Sequence, residues 1–263
     1  MRDLPLGKKT AVPKGYDPGV LCPIPRGASG GDLPGFDLWR GYELSWLDPA
    51  GKPVAAVLEL AYPAKSKNIV ESKSLKLYLG GLSNARFSGG DEVRETVAAD
   101  LVGILETPWI EVRVLDLTHA WEPALPGTCI DGLEVRIPEG GEVDPGILSA
   151  GAGHADEALY SHLLRTSCPV TLQPDWASVL VKYRGPRIEP ASLLGYLCSY
   201  RSHAGFGEEC CGRIYEDILA RCRPGELTVA LFYTRRGGID INPVRSSRRI
   251  EVDEVRKYRL SRQ

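Results

Sequence analysis

A thiol and a carboxylate stand seven residues apart in the segment 166–176, which reads T-S-C-P-V-T-L-Q-P-D-W. The thiol is Cys168 and the carboxylate is Asp175, and two prolines lie between them. This spacing predicts a short turn whose two ends face the same cavity. A thiolate is a strong nucleophile, and a neighbouring carboxylate can hold or shuttle a proton. The alternative is a small buried cysteine with a structural role.

A pair of lysines marks the segment 71–78, which reads E-S-K-S-L-K-L-Y. Lys73 and Lys76 are three residues apart, so they share one face of a predicted helix near its start. Cationic side chains and free backbone N–H groups at a helix N-terminus both attract phosphate. The segment is therefore a candidate phosphate site, and solvated surface charge is the alternative.

The tripeptide at 206–208 and the turn at 235–238 add further candidates. Phe206 offers a flat apolar face, and Glu208, together with Glu71, can accept hydrogen bonds from a heterocycle edge that carries several N–H donors, as a guanine-like base does. The alternative for Glu208 is a helix-capping role. The arginines at 235 and 236 are suited to binding a phosphate, although hairpin surface charge explains them equally well.

The elements that must position these groups occur in the same order twice. Strands are predicted at 42–47, 54–62, 110–117 and 129–137, with two helices between the second and third of them. The second helix is predicted from an apolar stripe of Val93, Val97, Leu101, Ile104 and Leu105, and Pro108 ends it. After a boundary at 140–146, strands follow at 159–166, 176–183, 226–234 and 239–244, with helices at 191–203 and 208–221. This order indicates an internal duplication. Because the polar groups are divided between the halves, we expect a site where the halves meet.

The two ends of the chain and its composition limit the classes of protein to which it can belong. Residues 1–38 lack strand and helix periodicity and predict an extended arm that packs over a neighbour, with a disordered tail as the alternative. Arg245, Arg248 and Arg249, with the acidic residues after them, predict a solvated tail. The net charge of −2 disfavours direct nucleic-acid binding. Seven cysteines without a C-x-x-C pair predict reduced thiols and no structural zinc. No apolar run is long enough to span a membrane, so we expect a cytoplasmic protein.

Four segments in this order resemble the NADPH-dependent 7-cyano-7-deazaguanine reductase (QueF) family in its long, two-module form. They are V-E-S-K-S-L-K-L-Y-L at 70–79, S-C-P-V-T-L-Q-P-D-W at 167–176, F-G-E-E-C at 206–210 and R-R-G-G-I-D-I-N-P at 235–243. The resemblance implies an α+β tunnelling fold, in which antiparallel sheets form a barrel with helices outside. With the element order above, it predicts an N-terminal arm at 1–38, modules at 39–140 and 146–250 and a tail at 251–263. The resemblance also implies at least a homodimer.

The resemblance also implies a reaction and its residues. NADPH would reduce the nitrile of 7-cyano-7-deazaguanine to a primary amine for queuosine biosynthesis, with two hydrides per turnover and no metal, nucleic acid or membrane involved. Cys168 would form a thioimide with the nitrile carbon, and Asp175 would move protons. The base-binding residues implied are Glu71, Ser72, Phe206 and Glu208, and the cofactor-binding residues are Lys73, Ser74, Lys76, Arg236 and Gly237.

One position departs from the family pattern F-H-E, because this sequence has Gly207 where the family has a proton-transferring histidine. A natural variant that uses Asp175 or water, an engineered substitution, and a homologue that reduces the thioimide poorly are the three explanations. Rival functions are a homologue that releases the thioimide to water or ammonia, and a non-catalytic deazapurine-binding module. Cys210 is either a partner for a protective disulfide with Cys168 or a packed helix cysteine.

Overall fold

Ten strands and five α-helices are found in the computed structural model, which describes residues 5, 7, 11–27, 33–137 and 142–263. The strands are β1 (Pro23–Pro25), β2 (Gly35–Leu47), β3 (Pro53–Pro63), β4 (Asn68–Val70), β5 (Glu111–Leu115), β6 (Thr128–Cys129), β7 (Ala150–Ser167), β8 (Pro174–Ile188), β9 (Glu226–Tyr233) and β10 (Ile239–Ser246). The helices are α1 (Ser72–Leu82), α2 (Gly90–Leu105), α3 (Pro190–Cys198), α4 (Gly207–Cys222) and α5 (Asp253–Arg256).

Eight of these strands form one sheet in the order β5-β3-β2-β10-β9-β8-β7-β6. Every neighbouring pair is antiparallel except β6 and β7, which are parallel. The α+β class expected from the sequence is therefore confirmed. Within the described part of the chain the sheet does not close into a barrel, because β5 and β6 remain as its two edges.

The two halves of the sheet are joined through β2 and β10. These strands pair antiparallel, with Leu38 opposite Asn242 and Gly41 opposite Ile239. The expected order of two strands, two helices and two strands is present in the second half. In the first half, β4 lies between β3 and α1, and of β5 and β6 only β5 pairs within that half, because β6 pairs with β7. Each half also has its own buried core, in which helices cover the sheet. The predicted apolar stripe of α2 is confirmed, since Val93, Val97, Leu101 and Leu105 are all buried.

The strand predicted at 129–137 is wrong. Only Thr128–Cys129 forms a strand, and it pairs in parallel with β7. The chain turns immediately afterwards, with the Leu133 N–H donating to the Ile130 carbonyl at 3.2 Å. Asp131 accepts hydrogen bonds from the backbone N–H of His162 at 3.0 and 3.2 Å. A side chain-to-backbone bond of this kind competes with a strand ladder, which explains why the strand ends here.

The arm predicted at 1–38 contains strands that periodicity did not indicate. Ile24 in β1 pairs with Ile69 in β4, and β2 begins as early as Gly35. The Cys22 N–H donates to the Ser74 hydroxyl at 3.1 Å. Pairing partners that are distant in sequence therefore order this segment. The predicted boundary at 140–146 lies partly outside the described residues.

The prediction of a solvated tail is only partly correct. Arg248 pairs with Glu254 and Arg249 with Glu251 at the surface. Arg245, however, is 1% exposed and lies 2.8 Å from Asp37, because β10 runs between β2 and β9 in the middle of the sheet. The segment after β10 forms α5 and packs on the sheet through Val255, Tyr258 and Leu260. Among the described residues, no helix combines the length and apolarity that a membrane span requires.

Candidate active site

A cavity of about 450 Å³ lies where the two halves of the chain meet. The first half contributes the start of α1, and the second half contributes the β7–β8 turn, the start of α4 and the β9–β10 turn. The candidate residues that line it are Glu71, Ser72, Lys73, Lys76, Cys168, Asp175, Phe206, Glu208, Arg236 and Gly237. The expected location between the halves is thus observed, whereas the chemical roles of these residues stay predictions.

Cys168 and Asp175 lie at the two ends of the β7–β8 turn. Cys168 follows the last residue of β7, Asp175 is the second residue of β8, and Thr166 is paired with Asp175 across the strands. The Cys168 N–H donates to the Gln173 carbonyl, and its carbonyl accepts from Leu172, both at 2.9 Å. Leu172 has φ 55°, a left-handed conformation that tightens the turn. The predicted turn is confirmed, and it aims a thiol that is 8% exposed at the cavity.

Arg236 connects the β9–β10 turn to this hairpin. Its guanidinium forms an ion pair with Asp175 and a hydrogen bond to the Gln173 side chain. Two backbone hydrogen bonds between Arg236 and Ile239, at 2.9 and 3.1 Å, form the turn itself. The guanidinium is 41% exposed, so it is also accessible to an anion that enters the cavity.

The start of α1 is held by Glu71. Its carboxylate accepts the backbone N–H groups of Lys73 and Ser74, both at 2.8 Å. Burial raises the pKa of Glu71, although these two N–H donors oppose the rise. Ser74 is fully buried, donates to the Glu71 carbonyl at 2.7 Å, and does not line the cavity. The structure therefore gives Ser74 a supporting position behind the candidate cofactor residues.

Lys76 lies one helical turn further along α1, against the β9–β10 turn. Its ammonium is 3.7 Å from Glu43. A Cβ added to Gly237 would lie 3.2 Å from the Lys76 ammonium, and Gly237 has φ 58°. A glycine at this position lets the turn pass close to the lysine in a left-handed conformation. Lys76 and Arg236 thus form one cationic region with Lys73 on the cavity wall.

Phe206 and Glu208 come from the start of α4. Phe206 packs against the core of the first half, so it bridges the two halves. Glu208 is 4% exposed, and its Oε1 atom accepts no hydrogen bond from any described residue. Burial raises the pKa of Glu208 to about 7, and the charge of Asp37 adds to the rise. A buried carboxylate oxygen without a donor is costly unless a ligand supplies one.

Behind Glu208 lies a buried charge cluster that sequence reasoning missed. Asp37 pairs with both Arg26 and Arg245. Arg245 also donates to the backbone carbonyl of Glu208 at 3.2 Å. Burial alone would raise the pKa of Asp37, but the charges of Arg245 and Arg26 outweigh it and keep this pKa below the ordinary value. The cluster joins the arm, β2, β10 and α4, which are far apart in sequence, so no local motif could have revealed it.

Gly207 lies against the ring of Tyr233, a second residue that sequence reasoning missed. A Cβ added at position 207 would lie 2.7 Å from the Tyr233 Cε2 atom, which is closer than side chains approach one another. Tyr233 lines the cavity and ends β9. The space beside Gly207 is therefore taken up by an aromatic ring. The only sequence signal for Tyr233 is its position at the end of a strand, directly before the Arg235 turn.

Cys210 fits the packed-cysteine alternative. It is fully buried in the core of the second half. Burial raises the pKa of its thiol to about 12, so the thiol is rarely ionised. All seven cysteines, Cys168 included, are free thiols in the structure.

Comparison with known proteins identifies the family. Residues 12–114 match the family model described as nitrile reductase, 7-cyano-7-deazaguanine-reductase N-term, and residues 174–251 match that of QueF-like proteins.

Three relatives match nearly the whole chain. The chain is 46% identical to a protein of Stenotrophomonas maltophilia over 94% of this chain and 93% of the relative. It is 47% identical to a protein of Azoarcus sp. over 97% of this chain and 95% of the relative. It is 44% identical to a protein of Desulfotalea psychrophila over 99% of this chain and 97% of the relative. All three relatives are named NADPH-dependent 7-cyano-7-deazaguanine reductase. With this identity over nearly its full length, and with the thiol, carboxylates and lysines in one cavity, the chain belongs to the 7-cyano-7-deazaguanine reductase (QueF) family.

Proposed function

We propose that this protein uses NADPH to reduce the nitrile of 7-cyano-7-deazaguanine to a primary amine, a step that supplies queuosine biosynthesis. The observation that carries the proposal is that one cavity contains both the Cys168 thiol and the unpartnered carboxylate oxygen of Glu208. The first provides a nucleophile and the second an acceptor for a base edge. The names of the three relatives support the same reaction.

Glu208 and Glu71 would hold the deazapurine. A guanine-like edge presents several N–H donors, and a carboxylate is an acceptor with two oxygens. Glu208 has a buried oxygen available, while each Glu71 oxygen already accepts one backbone N–H. Phe206 would lie against the face of the base, and Ser72, also on the cavity wall, would bind its edge.

Cys168 would begin the chemistry. Its thiolate adds to the nitrile carbon, a C–S bond forms, and the nitrile nitrogen takes up a proton, which gives a thioimide. Asp175 faces the same cavity and would carry that proton. The low exposure of Cys168 protects such an intermediate from hydrolysis by water.

NADPH fits the cationic donor set that lines the cavity. When bound, NADPH supplies hydride, and two molecules are needed for each nitrile that becomes an amine. Lys73, Lys76 and Arg236 would hold its phosphates, and Gly237 would let the turn approach them. Ser74 would act indirectly, by fixing the start of α1 through its bonds to Glu71 and Cys22. We expect no metal in this reaction.

Gly207 leaves Asp175 as the best proton carrier. Glycine has no side chain that could donate or accept a proton. The Tyr233 ring takes up the space beside Gly207, which argues against a water molecule there. The ion pair with Arg236 would hold Asp175 in place until substrate binds. We expect a slower proton transfer than an imidazole would provide, but not its loss.

The tandem tunnelling fold and a homodimer are part of this proposal. The sheet ends in two edges, β5 and β6, and a second copy offers strands of the same kind. Closing a barrel between two copies would remove both edges. A cytoplasmic location, without nucleic-acid or membrane partners, agrees with seven free thiols and a net charge of −2.

Intact-protein mass spectrometry tests the proposed function. The protein is mixed with 7-cyano-7-deazaguanine, first without and then with NADPH, and cofactor absorbance is followed in parallel. We expect an adduct on Cys168 that disappears as NADPH is oxidised, and no adduct in C168A. A C198S variant is the matched control, because Cys198 is a buried thiol outside the cavity.

The other outcomes separate the rival functions. A persistent adduct without NADPH oxidation would indicate a binding module that traps the nitrile. An adduct that disappears without NADPH would indicate release to water or ammonia. Absence of any adduct on Cys168 would refute the assigned nucleophile.

A further inference from the structure

A second cluster of reactive side chains lies outside the cavity, at the edge of the sheet where β6 pairs with β7. It consists of Cys129, Asp131 and His162, whose ligand atoms all lie within 4.8 Å of one another. Cys129 is in β6, Asp131 is in the turn that follows it, and His162 is in β7. None of the three lines the cavity. The proposed reductase function makes no use of them.

Hydrogen bonds already fix two of the three side chains. The backbone N–H of His162 donates to both carboxylate oxygens of Asp131, at 3.0 and 3.2 Å. These oxygens keep further lone pairs, since an ionised carboxylate offers about four acceptor sites. The turn is therefore held against β7 with its carboxylate next to the imidazole.

The His162 ring is oriented by Ser178, which lies on the neighbouring strand β8. The Nδ1 atom is 2.7 Å from the Ser178 hydroxyl oxygen, and Ser178 is 3% exposed. When the hydroxyl accepts the Nδ1 proton, Nε2 carries the lone pair and is the nitrogen left for a metal. Metal-binding histidines almost always use their second ring nitrogen in a bond of this kind.

We propose that Cys129, Asp131 and His162 bind a zinc ion. A thiolate, an imidazole and a carboxylate are the three side-chain ligands that zinc takes in proteins, and three protein ligands with a water molecule complete a tetrahedral site. Zinc–ligand bonds of about 2.0 to 2.3 Å require the ligand atoms to approach within about 3.3 to 3.8 Å of one another. Cys129 is exposed and belongs to a two-residue edge strand, so its side chain is free to make this adjustment.

The ion would attach the segment after β5 to the sheet. Two-residue pairing between β6 and β7 is a weak connection by itself, and the ion would add a link to β7 directly and to β8 through Ser178. The sequence predicted no zinc site, because the ligands follow no C-x-x-C or H-x-H spacing and His162 is distant from Cys129 in the chain. Only the parallel pairing of β6 with β7 brings them together.

A zinc titration tests the proposal directly. The protein is purified with a chelator that is then removed, and Zn²⁺ is added in competition with a chromophoric zinc indicator. We expect one equivalent per chain bound with micromolar or tighter affinity, and at least 100-fold weaker binding in C129S and in H162N. S178A should weaken binding by about 10- to 100-fold, because it removes only the orienting bond.

Matched variants separate this site from other zinc-binding groups. H154N changes an exposed histidine on the same strand, and C198S changes a thiol near Asp131 that lies outside the cluster. Both should bind zinc as the wild type does. C168S should also keep the site, which shows that the titration does not report on the thiol of the cavity.

Alkylation of Cys129 provides a second readout. We expect one equivalent of Zn²⁺ to slow its modification by iodoacetamide at least 10-fold, measured by peptide mass spectrometry, and H162N to abolish this protection. Circular dichroism of each metal-free variant verifies that it is folded. Wild-type affinity in both C129S and H162N, binding weaker than millimolar, or unprotected Cys129 would overturn the proposal.

Discussion

Arg236 forms an ion pair with Asp175 inside the cavity that contains Cys168. The first residue is the candidate phosphate partner and the second the candidate proton carrier, so the two functions share one contact. Because the side chains are 41% and 21% exposed, the pair contributes little to the free energy of unfolding, about 1 kcal/mol or less. We expect the pair to matter for the binding of phosphate by Arg236 and for the orientation of the Asp175 carboxylate.

R236A should therefore impair cofactor use more than stability. Loss of the guanidinium removes a candidate phosphate contact, and we expect the KM for NADPH to rise at least 10-fold while the unfolding midpoint changes little. Steady-state kinetics and thermal unfolding measure the two effects. R235A is the control, because Arg235 lies over the Tyr42 ring instead. An equal rise in KM in both variants would count against a specific role for Arg236.

E208Q should change how stability depends on pH. The pKa of Glu208 in the folded protein is about 7, above its ordinary value of 4.5, so the folded state binds a proton that the unfolded state releases. The stability that this proton contributes is fully present below pH 4.5 and is lost as pH rises towards 7. The neutral amide of E208Q removes this titration. Relative to E208Q, the wild type should thus be more stable at about pH 5 than at about pH 8, as measured by urea unfolding.

Binding of the deazapurine should reverse this protonation. N–H donors favour the carboxylate form, so binding near pH 7 should release a proton. Isothermal titration calorimetry in buffers with different ionisation enthalpies detects that proton. Because Asp37, Arg26 and Arg245 act on Glu208, the comparison with E208Q is needed to assign it. Identical proton release in E208Q would show that another group titrates.

G207A should destabilise the protein through overpacking. The added methyl would lie 2.7 Å from the Tyr233 ring, and we expect a loss of about 1 to 3 kcal/mol in the free energy of unfolding. G103A is the matched control, because Gly103 lies on the exposed face of α2 with no atom within 4 Å of an added Cβ. That change should stabilise by about 0.5 to 1 kcal/mol. If the free energy of unfolding of G207A equals that of the wild type, the Tyr233 ring moves aside without a free-energy penalty.

R245M should lower the free energy of unfolding more than the substitution of any surface arginine does. It leaves Asp37 buried with Arg26 as its remaining partner, and removing one member of a buried ion pair costs about 3 to 5 kcal/mol. R248M, which breaks the exposed pair with Glu254, should cost about 1 kcal/mol or less. Chemical denaturation gives both values. Similar losses in the two variants would contradict the assigned importance of the buried cluster.

Local patterns in the sequence were sufficient for most elements and for the motifs. The stripe of α2 and the β7–β8 turn follow from periodicity and turn chemistry within short segments, which depend mainly on neighbouring residues. The same holds for Cys168 and Asp175, because a tight turn of fixed length determines their separation. The family could be inferred from four short segments, and comparison with known proteins confirmed it.

Contacts between distant segments decided the rest. The burial of Arg245, the pairing of β1 with β4, the Tyr233 ring beside Gly207 and the cluster of Cys129, Asp131 and His162 all join residues that no local pattern relates. The sequence by itself determined which groups with catalytic potential exist and which short elements carry them. Only the tertiary structure decided which of them meet, because strand order and sheet register depend on the packing of the whole chain.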